Sequence, residues 1–277
     1  MKKIPNIPKF YDTDYLLVEG DGTSYADGFK LNRPLKKALL LGGNLKNKKV
    51  LDLASGRGEF AYHCAMKGGR VVGVDFSKDS IKLGNYIKGK LPDRLKNNLH
   101  FKLMDISDLR FPDNSVDIVY MMDVIEHLPQ RKLEKSVAEA YRVVKPGGRI
   151  IIHTIPNALF TQTGYKLAKI FFGVTKWNSS VYHINEQSYF SLRSLLRKLK
   201  IKGTIEIEKE KKYFFVEIGN NQLLHKQLGN SFLSRQIKPL TIFLDKIFDN
   251  FPVYQMVSHF PLNLFFGTDF WITINKK

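Results

Sequence analysis

The sequence predicts an α/β protein built on a Rossmann-like, doubly wound and mostly parallel sheet. Short apolar runs alternate with amphipathic helical patterns between residues 48 and 157. The first run ends in a glycine-rich turn, and acidic residues follow the later runs at their carboxyl ends. This alternation is typical of a parallel sheet covered on both faces, which binds ligands outside the carboxyl ends of its strands.

The elements follow from periodicity and from helix-capping residues. Before residue 156 we predict helices over 31–41, 58–66 and 133–144, a further helix capped by Ser77 that carries Ile81, Leu83 and Ile87, and strands over 49–53, 71–74, 100–104, 116–121 and 149–155. After it we predict helices over 185–199 and 237–248, the first with Phe190 and Leu192 facing the core, and strands over 204–207 and 270–274.

Length and composition are those of an ordinary globular domain. The 277 residues contain one cysteine, Cys64, which excludes an internal disulfide and a cysteine-based metal cluster. We predict no metal site. No run approaches the ~20 apolar residues of a membrane-spanning helix, and the first eight residues lack the apolar core of a signal peptide. We therefore expect a cytoplasmic protein without an obligate protein partner.

The formal net charge of +18 leaves three interpretations open. They are nucleic-acid binding, peripheral attraction to an anionic membrane surface, and a lysine-rich composition with no specific partner. The lysines are scattered, and the chain contains no arginine-rich tract.

The turn after the first strand carries the main binding prediction. Gly56 and Gly58 let a ligand approach the backbone, and the helix that follows offers unpaired N–H groups. The spacing G-x-G-x-x-A also fits nicotinamide-dependent oxidoreductases. Asp75, at the end of the second strand, is placed to accept hydrogen bonds from a ribose in either case.

Three features favour a cationic ligand over a dinucleotide. Asp52 precedes the glycines, where it would repel a pyrophosphate but attract a sulfonium and an amino group. Asp105 follows the third strand, where it can accept a hydrogen bond from an adenine amino group. The fourth strand leads into the segment 122–128, with the sequence MDVIEHL, which the nicotinamide pattern does not require.

These segments together resemble class I S-adenosylmethionine-dependent methyltransferases, near the branch of ubiquinone- and menaquinone-biosynthesis enzymes. The resemblance rests on residues 50–58, 72–75, 104–106, 117–128 and 143–156, in the expected order. It implies a seven-stranded sheet with an antiparallel last strand, helical and aromatic insertions after strands 5 and 6, and S-adenosylmethionine as cofactor. The family usually has glycine where this chain has Ala54, and often cysteine where it has Ser55.

The resemblance also implies which residues bind the cofactor. Asp52, the turn residues Ala54, Ser55, Gly56 and Gly58, and Asp123 with Val124 would surround its methionine part. Asp75 would hold the ribose, while Phe76, Asp105 and Ile106 would contact the adenine. Arg33, in the helix before the first strand, would meet the cofactor carboxylate.

The acceptor side is less defined. His127, just after the fourth strand, is our candidate general base, with an alternative role in ordering its loop. His153 is interpreted as a core histidine, and His183 as a residue at the mouth of the pocket. The aromatic and basic segment 158–182 is the predicted acceptor lid, and residues 260–266 with the helix before them complete a pocket or touch a membrane surface.

The leading hypothesis is thus methyl transfer to a small-molecule or lipid-like acceptor. The alternatives are an RNA methyltransferase, a nicotinamide-dependent oxidoreductase, and a cofactor-binding protein without catalysis. We expect one domain over 1–277, with an N-terminal cap (1–47), a cofactor-binding core (48–157) and an acceptor lid with the final strands (158–277).

Overall fold

Every apolar run predicted as a strand forms one in the computed structural model of the chain. The structure describes residues 31–155, 157–159, 162, 166, 183–210 and 269–277. The helices are α1 (Arg33–Gly42), α2 (Glu59–Met66), α3 (Lys78–Lys88), α4 (Asp93–Lys96), α5 (Gln130–Val143) and α6 (Tyr189–Lys198). The strands are β1 (Lys49–Leu53), β2 (Arg70–Asp75), β3 (Leu99–Leu103), β4 (Val116–Met122), β5 (Val144–Thr154), β6 (Gly203–Glu210) and β7 (Asp269–Lys276).

The strands of the described residues form one seven-stranded sheet in the order β3-β2-β1-β4-β5-β7-β6. β1 to β5 are parallel, whereas β7 pairs antiparallel with both β5 and β6. The order reverses beside β1, at the point where ligands bind in open α/β sheets. The fold prediction is therefore confirmed, including the antiparallel last strand. The predicted helix 237–248, the apolar stretch 260–266 and most of the segment 158–182 lie outside the described residues.

Two element boundaries differ from the prediction by four residues or more. β5 begins at Val144, not at residue 149, because the Lys145–Gly148 turn residues remain within the strand. The pairing of β4 with β5 is irregular there, and its register shifts between Val116 and Ile118. A bulge of this kind absorbs residues that a sequence pattern marks as a turn.

The helix predicted over 185–199 begins four residues later, at Tyr189. Ser188 is its N-cap and forms a capping box with Ser191, which fixes the start of the helix. The prediction that Phe190 faces the core is wrong, because its side chain is 57% exposed while Leu192 is buried.

Both faces of the sheet are covered, since alternate residues of each strand face opposite ways. On β4, Val119 and Met121 pack in one cluster with α5 and α6, while Ile118 and Tyr120 pack in the other with α1 and α2. None of the helices in the described ranges is both long and apolar enough to span a bilayer.

α1 runs opposite to the parallel strands. The side chain of Arg149, near the start of β5, donates a hydrogen bond to the Leu41 carbonyl at the end of α1. One turn earlier, the Lys37 ammonium lies 5.0 Å from the centroid of the Trp271 ring, and Trp271 pairs with His153 near the end of β5. The first turn of α1, with Arg33, therefore lies towards the carboxyl ends of the strands.

Close packing of α3 on the sheet depends on glycine at position 84. A Cβ built on Gly84 would lie 2.8 Å from the Phe101 ring, closer than real contacts allow. We expect Gly84→Ala to lower the free energy of unfolding by about 1–3 kcal/mol, because the rigid ring must shift. In a Phe101→Ala background the same change should instead stabilise by about 0.5–1 kcal/mol, since alanine is the better helix former. Urea unfolding of the wild type, the two single variants and the double variant measures these changes. If Gly84→Ala still lowers the free energy of unfolding in the Phe101→Ala background, the steric explanation is contradicted.

Candidate functional site

The turn after β1 has three residues in left-handed backbone conformations. Ala54, Gly56 and Gly58 have φ values of 58°, 51° and 88°. The turn is fastened to the sheet by the Ser55 amide, which donates to the Val74 carbonyl at 3.0 Å, and Gly58 begins α2 without a side-chain cap. For Ala54 this conformation costs about 1–2 kcal/mol relative to glycine, the residue that the resemblance leads us to expect there.

Asp75 organises the same turn from the end of β2. One carboxylate oxygen accepts a hydrogen bond from the Gly56 amide at 2.9 Å, and the other accepts from the Ser77 amide at 2.9 Å. Burial raises the pKa of Asp75, and the amide donors partly oppose that rise. A carboxylate has about four acceptor positions, and these two N–H bonds use one on each oxygen.

Asp52 is a buried carboxyl next to this turn. It is 2% exposed, and its Oδ2 has no hydrogen-bond partner among the described residues. Burial, followed by the negative charges of Asp75 and Glu59, raises the pKa of Asp52 to about 8. A nearby positive charge would remove this penalty, whereas an incoming phosphate would increase it.

The free-energy cost of ionising the buried Asp52 carboxyl makes the stability of the folded chain depend on pH. An unfolded Asp loses its proton near pH 4, whereas Asp52 in the folded chain keeps it to about pH 8, so stability falls as pH rises between these values. We expect Asp52→Asn to stabilise the cofactor-free protein by about 1 kcal/mol at pH 5 and about 3 kcal/mol at pH 8.5. Urea unfolding across this range measures the difference, and a gain that does not grow with pH would contradict the assignment.

The third strand-end carboxylate, Asp105, is already engaged. Its Oδ1 accepts from the Ser107 amide at 2.9 Å, and its Oδ2 lies 2.8 Å from the Lys132 ammonium. Partial burial would raise the pKa of Asp105, but the bonds from Lys132 and Ser107 bring it below its ordinary value. Lys132 also lies 5.9 Å from the centroid of the Phe76 ring, so it stands between two of the three residues predicted to contact adenine. The predicted contact Ile106 is buried in the adjoining core.

The residues after β4 are fixed by a buried histidine. Asp123 has φ of 50°, and its Oδ1 lies 2.5 Å from Nδ1 of His153. The other ring nitrogen of His153 is 3.5 Å from Asp269 of β7. Burial favours the neutral imidazole, but the two carboxylates outweigh it and raise the pKa of His153 to about 9. His153 is therefore the core histidine that the sequence predicts, and Val124 beside Asp123 is buried.

His127 ends the short 3-10 helix Ile125–His127 that follows. Its ring centroid lies 5.0 Å from that of His183, so the structure brings the candidate general base next to the histidine predicted at the mouth of the pocket. Glu126 is fully buried, and its Oε2 accepts a hydrogen bond from the Thr154 hydroxyl at 2.8 Å. Burial and the charge of Asp123 raise the pKa of Glu126 to about 8.

Sequence reasoning missed Glu126 and Lys132. Glu126 lies inside the segment 122–128 that the prediction used, and its position between Ile125 and His127 was the available signal. Lys132 is one of 44 basic residues, and nothing local distinguishes it.

The predicted acids are gathered at one edge because the strands that carry them are parallel and in register. Leu53 of β1 pairs with Val74 and with Met121, and Asp75 pairs with Leu103. Asp52, Asp75, Asp105 and Asp123 thus follow or end four neighbouring strands at the same edge. The fold and site define a Rossmann-like protein whose acidic carboxyl edge suits a nucleoside that carries positive charge.

Comparison with known proteins agrees with this class. The pattern of a methyltransferase domain matches residues 51–152. The demethylmenaquinone methyltransferase of Clavibacter sepedonicus is 30% identical over 172 residues, which cover 58% of this chain and 67% of that protein. The phosphoethanolamine N-methyltransferase 1 of Triticum aestivum is 32% identical over 143 residues, which cover 51% of this chain and 27% of that protein.

Solved structures show the same fold. A phosphoethanolamine N-methyltransferase 2 of Haemonchus contortus, in complex with S-adenosylhomocysteine, superposes with a TM-score of 0.57 at 18% identity. The match covers 96% of this chain and 59% of that one. The chain belongs to the class I S-adenosylmethionine-dependent methyltransferases, in the branch of the ubiquinone- and menaquinone-biosynthesis enzymes. It spans between 27% and 67% of the length of the relatives named above.

Proposed function

We propose that this chain transfers a methyl group from S-adenosylmethionine to a small-molecule or lipid-like acceptor in the cytoplasm. The observation that carries the proposal is Asp52, a buried carboxyl beside the glycine turn whose Oδ2 has no partner within the described ranges. A sulfonium or ammonium group bound close by would offset the free-energy penalty of that charge.

The cofactor-binding residues are proposed as the sequence predicts them. Asp75 accepts the ribose hydroxyls, and Phe76, Asp105 and Ile106 surround the adenine. Asp52, Asp123, Val124 and the turn residues Ala54, Ser55, Gly56 and Gly58 enclose the methionine part, and Arg33 pairs with its carboxylate. The direction of α1 supports this role for Arg33, since its first turn lies towards the carboxyl edge.

In this arrangement the Lys132 side chain must move away from Asp105. Its ammonium bonds to the Asp105 oxygen that would otherwise accept from the adenine amino group. The side chain is half-buried and begins on α5, so it can rotate towards solvent without moving the helix.

On the acceptor side, the protein positions the nucleophilic atom of the acceptor and removes its proton. When bound, S-adenosylmethionine supplies the electrophilic methyl group for an in-line displacement, so alignment of the acceptor contributes much of the rate. His127 is the proposed general base, and it lies beside His183 and Glu126 at the end of β4. The segment 158–182 is proposed as the lid, within one domain over 1–277 that comprises the cap 1–47, the core 48–157 and the lid with the final strands.

The named relatives support a small-molecule acceptor. Their names describe methyl transfer to demethylmenaquinone and to phosphoethanolamine, and neither name refers to RNA or to a nicotinamide cofactor. The charge of +18 favours RNA and an anionic membrane surface equally and does not distinguish between them.

Isothermal titration tests the cofactor. We expect the purified chain to bind one equivalent of S-adenosylmethionine or S-adenosylhomocysteine and no NAD. Asp52→Asn keeps the shape and removes the charge, and should weaken S-adenosylmethionine binding about tenfold. Failure of the wild-type chain to bind either compound would refute the proposal.

A methyl-donor assay with cell extract tests the acceptor. Label from S-adenosylmethionine is expected in the small-molecule or lipid fraction. Label that disappears on ribonuclease treatment would establish the RNA alternative instead.

A further inference from the structure

Three potential metal ligands converge beyond the end of β4. Glu126, His127 and His183 each offer one ligand atom, and these atoms lie within 4.8 Å of one another. Glu126 and His127 come from the same 3-10 helix. His183 is far from them in the sequence and is held close by Asn185. The backbone amide of Asn185 donates to the Glu126 carbonyl at 3.0 Å, and its side-chain amide donates to the Leu128 carbonyl at 3.0 Å.

Two atoms of this cluster have no hydrogen-bond partner among the residues described. They are Oε1 of Glu126 and Nδ1 of His183, both shielded from solvent. Glu126 as a whole is 0% exposed, and its other oxygen is bound by Thr154. Because buried polar atoms are nearly always bonded in native proteins, two such atoms in one cluster indicate a ligand between them.

The donor set indicates the kind of ligand. Two imidazoles with one carboxylate suit Zn²⁺ and neighbouring transition metals, whereas Mg²⁺ prefers oxygen ligands. Asp123 acts electrostatically on both Glu126 and His183, which adds negative charge beside the cluster. The Thr154 hydroxyl orients the Glu126 carboxylate, as outer partners commonly orient metal ligands.

We propose that Glu126, His127 and His183 form a binding site for one divalent transition-metal ion, of which Zn²⁺ is the best match. Ligands at about 2.1 Å from one ion stand roughly 3–3.4 Å apart, so donor atoms that now lie within 4.8 Å must close by about 1.8 Å at most. Both histidines are only half-buried, and rotation of their rings supplies this movement.

A three-ligand site leaves a coordination position open. An acceptor oxygen bound there would lose its proton more readily, because a metal ion lowers the pKa of a bound hydroxyl. His127 would then act as a ligand, and the proton released from the metal-bound oxygen would pass to water, so that no side-chain base is needed. This last step rests on the proposed methyl transfer, whereas the metal site does not.

The experiment measures metal binding by the whole chain without any substrate. After removal of metal by EDTA and dialysis, the protein is titrated calorimetrically with ZnCl₂ and separately with MgCl₂, and Co²⁺ binding is followed by its visible absorption. We expect one equivalent of Zn²⁺ with a Kd of about 1 μM or lower, a Co²⁺ band, and no saturable binding of Mg²⁺.

The variants assign the ligands. His183→Ala and Glu126→Gln should each weaken Zn²⁺ binding at least 30-fold. His100→Ala is the matched control, because His100 is exposed on β3 and bonds to the Asn97 carbonyl. If Glu126→Gln does not fold, His183→Ala alone decides, since that residue is half-buried in a loop.

The proposal is overturned if the wild-type chain binds neither Zn²⁺ nor Co²⁺, or if the His127→Ala/His183→Ala double variant binds Zn²⁺ as tightly as wild type. S-adenosylhomocysteine titration on the same preparation reports on the cofactor site separately. Loss of cofactor binding with intact metal binding refutes only the proposed function, and the reverse result refutes only the metal site.

Discussion

Asp75→Ala is expected to weaken S-adenosylhomocysteine binding by at least 100-fold. The carboxylate orders the glycine turn through the Gly56 amide and would also accept the two ribose hydroxyls. Each hydrogen bond to a charged group contributes about 1.5–3 kcal/mol, so the loss of two corresponds to about 3–6 kcal/mol in binding free energy. Isothermal titration of both proteins gives the ratio of Kd values.

Two further variants separate binding from folding. Asp75→Asn keeps the shape and one acceptor oxygen, and should weaken binding by about 10- to 100-fold. Asp93→Ala removes an exposed carboxylate that pairs only with Lys96 among the described contacts, and should leave the Kd unchanged. A Kd for Asp75→Ala within about threefold of wild type, with the melting temperature retained, would show that Asp75 does not bind the cofactor.

His153→Leu is expected to lower the free energy of unfolding by about 3–5 kcal/mol. The substitution keeps an apolar side chain against Trp271 but removes the positive charge that lies between Asp123 and Asp269. Asp269 is 1% exposed and cannot regain water, so its carboxylate loses a countercharge in the interior. Urea unfolding at pH 7 measures the loss, and His100→Leu on the surface is the control.

Neutralising each of the two carboxylates should restore a different share of the stability lost in His153→Leu. Asp269→Asn in the His153→Leu background should recover more stability than Asp123→Asn, because the side chain of Asp123 is 40% exposed and can be hydrated. Equal recovery by both, or none, would contradict the buried-charge explanation.

The same histidine also makes the stability of the protein fall as pH rises. Its folded-state pKa of about 9 exceeds the ordinary value of 6.5, so its contribution is complete below about pH 6.5 and is lost as pH rises through 9. The difference between wild type and His153→Leu should therefore be larger at pH 6 than at pH 10.

The elements of the fold follow from local patterns. Strand β1 and the capping of α3 by Ser77 agree with the prediction, because apolar runs, glycines and capping residues act over a few neighbours. The predictions fail where local signals conflict with packing. Phe190 is apolar, but it lies about 200° around the helix axis from Leu192, so the packing that buries Leu192 turns Phe190 to solvent.

The sequence by itself determined the doubly wound sheet, the glycine turn and the acids at its carboxyl edge, since parallel strands bring their ends together whatever the details of packing. Only the tertiary structure decided which of these groups contact one another. Asp269 reaches His153 through the antiparallel pairing of β5 with β7, and His183 reaches Glu126 and His127 through the Asn185 bonds. These contacts join residues far apart in the chain, and their geometry depends on how complete elements pack, which no local pattern of residues encodes.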